Sequence, residues 1–352
     1  MRSNTVTMKS FKKHKDYGFW DQDIRLSKLS KLGDPLERLE RGINFEIFRE
    51  HLEEKLSKLP KGKGGRPPYD YILMFKILIL QRYYNLSDDQ AEYQINDRLS
   101  FMRFLDLSIA DDIPDSKTVW HFREQLTDLE LIEELFGLFI KELEKLNLVV
   151  NEGKIIDASF IEVPRQRNSR DENKQIKSGE IPESFKENPH KLSQKDTDAR
   201  WTKKNKVSYF GYKNHVKQDA KSKLITSYEV TDASVHDSQA TDLLLNDKDK
   251  GEEFYADSAY SGVPQEEIIT SKEMKNKVCE KGSRNNPLTD QQKNDNREKS
   301  RIRSRVEHIF GFMEMSMNEM YIQCIGVKRA TAIIGLMNLT YNMFRKIQLD
   351  TI

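Results

Sequence analysis

From residue 149 the chain changes texture, and the order of its elements from there on leaves few architectures open. Strand patterning at 154–160, 209–218 and 224–231 is followed by a helix at 239–245, a strand at 253–256, a helix at 264–271, a strand at 277–280 and helices at 301–317 and 330–347. Three successive strands pair antiparallel through short connections, whereas strand–helix–strand units demand parallel crossovers. The run therefore predicts a mixed sheet with helices packed on its faces.

Everything before it reads as helix. The run from Tyr71 to Leu80 is almost wholly apolar, yet shorter than the roughly 20 residues a membrane helix needs, so it predicts a buried helix over 70–84. Ser87-Asp88-Asp89-Gln90 has the spacing of a capping box, and Asp115-Ser116 caps a further helix carrying Val119, Trp120, Phe122 and Leu126. Phe101, Phe104 and Trp120 are expected in the core. The breaker Lys61-Gly62-Lys63-Gly64-Gly65-Arg66-Pro67-Pro68 separates this region from a more polar start. The expected organisation is a polar arm with one amphipathic helix over 1–60, a helical domain over 61–148, and a sheet domain over 149–347 with a polar insert at 161–208. The strand order is that of a ribonuclease-H-like fold, so the class is α+β: a helical N-terminal domain, then a ribonuclease-H-like mixed sheet with flanking helices.

Whole-chain charge is uninformative, at 58 basic against 57 acidic residues. Local charge is not. Residues 165–217 hold 14 Lys or Arg against 7 Asp or Glu, which marks Lys203 and Lys204 as candidate contacts to DNA phosphates. The two cysteines, Cys279 and Cys324, form no CxxC, and there is no HExxH, so a thiolate or imidazole zinc site is not expected. The start runs into lysines rather than an apolar leader, so a cytoplasmic, nucleoid-associated protein with no membrane partner is expected.

Three acids stand out. Asp157 ends the apolar run Lys154-Ile155-Ile156, Asp257 follows Glu253-Phe254-Tyr255-Ala256, and Glu307 sits in Arg303-Ser304-Arg305-Val306-Glu307-His308. Each alone has an ordinary explanation as a turn-former or solvated helix residue. Together, two carboxylates on neighbouring strand ends and a third on a basic helix make an all-oxygen site for Mg²⁺ or Mn²⁺, two ions, of the kind used in phosphoryl transfer. The stripe Val306, Ile309, Phe310, Met313 and Met317 docks that helix, which favours Glu307 over Glu298, Glu314 and Glu319. Arg301, Arg303 and Arg305 crowd its N-terminal side, where they would meet phosphates. Asp219 and Asp232 follow strands where a turn role is natural, and His236-Asp237-Ser238 lacks the GxSxG elbow of a hydrolase triad.

The segments around Asp157 and Glu307, with Tyr209-Phe210-Gly211-Tyr212-Lys213-Asn214-His215, Tyr255-Ala256-Asp257-Ser258-Ala259-Tyr260 and Gly335-Leu336-Met337-Asn338-Leu339-Thr340-Tyr341-Asn342, resemble those of bacterial insertion-sequence transposases of the DDE class, most nearly the insertion sequence 5 family. The resemblance implies a metal-dependent enzyme that cuts the ends of its own element and joins the 3′ ends to target DNA, with Asp157, Asp257 and Glu307 as catalytic acids and metal ligands. It also implies double-stranded DNA as partner and a homodimer or higher oligomer on it. The related insertion sequence 4 group carries a tyrosine and a lysine where this chain has Ser300 and Glu314, so Lys328 or Arg301 is the candidate to supply the missing positive charge. A nuclease or resolvase without strand transfer, and a non-catalytic helix-turn-helix DNA-binding protein, stay open at this point.

Overall fold

The computed structural model describes residues 18–57, 67–283 and 287–350. The initial lysines and most of the breaker, 61–66, lie outside them.

Eight helices precede the sheet among the described residues: α1 (Asp21–Lys31), α2 (Pro35–Gly42), α3 (Arg49–Ser57), α4 (Tyr71–Tyr84), α5 (Asp88–Asp97), α6 (Leu99–Phe104), α7 (Ser116–Asp128) and α8 (Leu131–Lys145). Within the arm expected over 1–60, the described residues 18–57 are folded. Leu36, Leu39, Phe45, Phe48, Leu52 and Leu56 are buried in the main core, but a turn at 43–48 divides them between short elements and hides the periodicity. The Asp70 side chain accepts from Ile72 N–H and Leu73 N–H and starts α4, which is buried nearly all round. Its one lysine, Lys76, is tolerated there because Nζ meets Glu40 at 3.0 Å and Asp106 at 3.1 Å. The capping box at Ser87 and Gln90 forms as read, and Asp115 caps α7. Phe101 and Phe104 are core, whereas Trp120 is 47% exposed, because α7 turns Val119 and Phe122 inward instead.

The sheet follows the order expected of a ribonuclease-H-like fold. Its strands are β1 (Lys154–Glu162), β2 (Arg200–Lys204), β3 (Val207–Asp219), β4 (Ile225–Asp232), β5 (Glu253–Tyr255) and β6 (Lys275–Asn276). β4 pairs with β3 and β3 with β1, both antiparallel, while β1–β5 and β5–β6 are parallel. The last strand is regular two residues earlier than the pattern at 277–280 suggests. Beyond it, Lys277 N–H and Cys279 N–H still donate to the carbonyls of Phe254 and Ala256.

The polar stretch 161–208 is also structured, which its composition conceals. It holds α9 (Arg170–Lys177), α10 (Glu183–Lys186), α11 (Pro189–Leu192) and β2, pinned by only a few buried side chains such as Ile176 and Phe185. β2 and β3 form a hairpin whose two-residue turn, Asn205-Lys206, has φ of 49° and 67°, as a type I′ turn requires. After β4 a 3₁₀ turn at Asp237–Ala240 and α12 (Thr241–Leu244) stand in place of one helix over 239–245, and the helix expected over 264–271 is α13 (Val263–Ser271). The helix read at 301–317 is instead two, α14 (Asp290–Arg303) and α15 (Glu307–Ser316), joined by a 3₁₀ turn at Ser304–Val306.

One long helix, α16 (Val327–Asp350), joins both halves of the chain into a continuous core. It packs on α2, α4, α7 and α8 as well as on β4. Its buried amides fix it to the sheet: Asn338 exchanges hydrogen bonds with Asn214 (2.8 and 3.1 Å), and Asn342 brackets the backbone of Ile225 (2.9 and 2.8 Å). No helix among the described residues is long and apolar enough to cross a membrane.

β3 carries a row of buried polar groups on the face opposite α16: Lys213, His215 and Lys217. Lys217 pairs with Asp249 at 2.7 Å, and His215 Nε2 lies 2.8 Å from Thr231 Oγ1. Burial pushes His215 down from 6.5 to about 4. The fold therefore favours the neutral ring, so this contribution is fully present above pH 6.5 and is lost as pH falls from 6.5 towards 4. The loss amounts to about 3 kcal/mol at about 1.4 kcal/mol per unit. His215→Gln is expected to lose less stability than the wild type on acidification across that window, read as the pH dependence of the urea midpoint difference. Parallel curves would show that His215 does not titrate with unfolding.

Candidate active site

β1 is the central strand, and its neighbours decide where the acids fall. Ile155 stands beside Tyr255 in the parallel β1–β5 pair. Continuing that register by two residues brings Asp157 level with Asp257, just past the end of β5. Asp157 shares its face of β1 with Ile155 and Ile161, which join the core that includes Val306 and Ile309, while Ile156 faces the smaller cluster with Phe254, Leu244 and Tyr260. Asp157 thus looks towards the α14–α15 junction. Asp257 is held differently: it caps the 3₁₀ turn Ser258–Tyr260, accepting from Ala259 N–H at 2.8 Å.

The α14–α15 junction brings the third acid. Buried Val306 seats the 3₁₀ turn against β1, so α15 opens on Glu307 next to the strand. The Glu307 side chain is 70% exposed. Arg303, four residues earlier, lies between the acids: Nη1 donates to Asp157 Oδ2 at 3.2 Å and Nη2 is 4.0 Å from Glu307 Oε1. Burial pushes Asp157 up to about 6, and the Asp257 charge adds to that. Ala158 N–H at 2.8 Å, Arg303 and Lys204 pull the other way.

The other basic residues singled out in the sequence separate into two groups. Lys204 belongs with the acids: its charge acts on Asp157 and its Nζ stands 5.7 Å from the Phe160 ring. Lys203 is exposed on the same hairpin and Arg301 is exposed on α14. Arg305 turns away and donates to the Ala220 carbonyl at 2.8 Å. Lys328 is met by Asp128 at the end of α7, 3.2 Å from its carbonyl, beside an Arg329–Glu124 pair that likewise ties α16 to α7. Ser300 Oγ faces Cys279 Sγ at 3.7 Å, and Glu314 is exposed. Asp219 serves the turn after β3, accepting from Ser222 N–H and Asn151 N–H.

Lys213, given no role of its own in the sequence, pairs with Asp237 of the His236-Asp237-Ser238 segment. Lys213 Nζ sits 2.7 Å from Asp237 Oδ1, whereas His236 and Ser238 face each other, so these three residues form no triad. A lysine in the middle of a strand otherwise reading as buried needs a partner, and that was the one signal pointing to Lys213.

A ribonuclease-H-like sheet bearing acids on its central strand, just past the neighbouring parallel strand and on a docked helix is the frame of the DDE class of DNA-processing enzymes. Residues 150–343, more than half of the chain, match the model of the Transposase DDE domain family, and residues 24–125 match that of a family described as Transposase domain. The chain belongs to the insertion-sequence DDE transposases. Among solved structures it is similar to "Cryo-EM structure of piggyBac transposase synaptic complex with hairpin DNA (SNHP)", at 13% identity and a TM-score of 0.45, with 92% of this chain and 76% of that one covered.

Proposed function

We propose that this transposase cuts DNA at the ends of its own element and joins the freed 3′ ends to target DNA, with Asp157, Asp257 and Glu307 holding two Mg²⁺ or Mn²⁺ ions. The observation that supports this reading is the β1–β5 register, which, continued by two residues, brings Asp157 level with Asp257, while Arg303 bridges from Asp157 towards Glu307. The donor set is carboxylate oxygen throughout, which suits a hard divalent ion. The Arg303 guanidinium between Asp157 and Glu307 is a stand-in for such a cation, so positive charge fits there. Among the described residues no three such ligands are gathered closely enough to hold an ion. Completing the set falls to Glu307, which is exposed enough on the first turn of α15 to rotate inward.

When bound, the ions activate the attacking oxygen and neutralise the leaving one. The chain's own residues set the stage. Asp157 and Asp257 are fixed by backbone N–H groups at strand and turn positions, so little reorganisation is needed during the reaction. Burial pushes the Asp157 carboxyl up to about 6, and a cation held beside it would favour its charged form. Arg303 can pass from Asp157 to a backbone phosphate, and Lys204 reaches the same phosphate from the β2–β3 hairpin. Water attacks the phosphodiester first and releases a 3′ hydroxyl; that hydroxyl then attacks a target phosphodiester and displaces its 3′ oxygen. Two ends must be held at once, which calls for a homodimer or larger assembly on DNA. The segments around the three acids and along α16 support the insertion sequence 5 group.

The test is incubation of the full chain with DNA carrying its inverted repeats and a supplied target in Mg²⁺. Joined products are expected. Cleavage without joining would leave a nuclease, and the absence of both products would overturn the reading.

A further inference from the structure

The turn between β3 and β4, residues 220–223, is held from outside by three side chains. Arg305 Nη1 donates to the Ala220 carbonyl at 2.8 Å, Arg345 Nε to that of Ser222 at 2.7 Å, and the Tyr341 hydroxyl to that of Lys223 at 2.8 Å. The turn, the α14–α15 junction and the end of α16 thereby gather Lys223, Arg305 and Arg345 in one place. Among the described residues, no carboxylate pairs with any of the three. The acids nearby are engaged elsewhere: Asp219 accepts from the Ser222 and Asn151 N–H groups, Glu152 pairs with Lys221 at 3.0 Å, and Asp350 pairs with Lys346. Like charges brought together without an acid oppose folding, and the backbone adds strain, because Lys223 stands at φ 62° in the left-handed region that a lysine seldom adopts. Burial lowers the pKa of the half-buried Lys223 ammonium, and Arg345 and Arg305 lower it further. An arrangement that costs stability and that no internal acid answers suits an anion from outside. Arg305 is exposed, so guanidinium N–H groups not used on the turn remain for that anion. The place is specific too. Arg305 stands two residues before Glu307, and Arg303, on the same junction, reaches the other way to Asp157 at 3.2 Å.

We propose that Lys223, Arg305 and Arg345 form a site for a backbone phosphate of duplex DNA, beside the bond that is to be cut. The inference rests on the transposase reading for its DNA and on the proposed acids for its place. Phosphate contacts fix the register and orientation of a duplex. The site holds the strand on one side of the α14–α15 junction while Arg303 serves the other.

The test is binding of the full chain to duplex DNA carrying its inverted repeats, without divalent metal and over a series of salt concentrations, for wild type and Lys223→Asn. Asparagine accepts the left-handed backbone and drops the charge, so cooperative unfolding with a Tm no lower than that of the wild type is expected. The slope of log affinity against log salt is expected to flatten by about 0.9, the share of one phosphate contact. Wild-type slope and affinity in folded Lys223→Asn would overturn the site, whether or not the wild type joins DNA ends in Mg²⁺. A flatter slope with no cleavage or joining by the wild type would support the site and count against the catalytic reading alone. Inorganic phosphate provides a second arm: thermal protection of the wild type that Lys223→Asn lacks, with unchanged DNA binding, would overturn the DNA assignment in favour of a free phosphate. Should Lys223→Asn not fold, Arg345→Gln carries the same salt series with the same expected flattening.

Discussion

Asp157→Asn should abolish strand cleavage while DNA binding persists. The asparagine keeps the shape of the side chain and can still face Ala158 N–H, but it removes the negative charge that the site places on the central strand. Losing one preorganised electrostatic group in an active site costs on the order of 10²–10³ in rate, and a charged ligand should cost at least that. Arg303 would lose its 3.2 Å partner and become available to phosphate, so affinity for duplex DNA should stay level or rise slightly. The measurement is a cleavage time course in Mg²⁺ paired with a gel-shift titration on the same DNA. Cleavage at wild-type rate would remove Asp157 from the chemistry. Joint loss of binding and cleavage would point to damaged folding instead.

Gly335→Val should be the most destabilising change at any glycine of α16 or α8. A Cβ there would stand 2.8 Å from Ile132 Cγ2 on α8 and closer still to the Tyr228 hydroxyl on β4, so the helix could no longer lie between the two halves. Overpacking of this kind costs about 1–3 kcal/mol, and two rigid neighbours place it at the upper end. For a chain of this size that is a fall in Tm of roughly 4 °C. Gly137→Ala is the control: it sits in α8 with open space around it and should raise stability by up to about 1 kcal/mol through helix propensity. Calorimetry of both variants checks the pair, and an unchanged Tm for Gly335→Val would mean that α16 can shift at little cost.

Much of the sheet was legible because its strands are apolar runs with clear breaks, and the register of β1 and β5 follows from a short parallel pairing. The three acids were readable as types in a pattern. Their spacing in the fold was not: Arg303 between Asp157 and Glu307 depends on the 3₁₀ turn at Ser304–Val306, which has no distinctive residues. β2 and the small helices of the insert escaped notice because caps and ion pairs, rather than a periodic apolar face, hold them. Lys191 on Glu172 and the Tyr212 hydroxyl on Asp196 are contacts that no window of sequence displays. Trp120 shows the opposite error, a large aromatic assigned to the core by size and found half outside.

The position of α16 in the chain has a consequence for how the protein is made. The helices α2, α4, α7 and α8 leave the ribosome early, yet part of the surface that covers them belongs to α16. At about 5–20 residues per second, the interval between the end of α8 and the start of α16 is roughly 10–40 s. During that time the faces of α4 and α8 that α16 covers lack that partner. A copy of the gene truncated before α16 is expected to yield an aggregating fragment rather than a free helical domain, checked as its share of the insoluble fraction on expression.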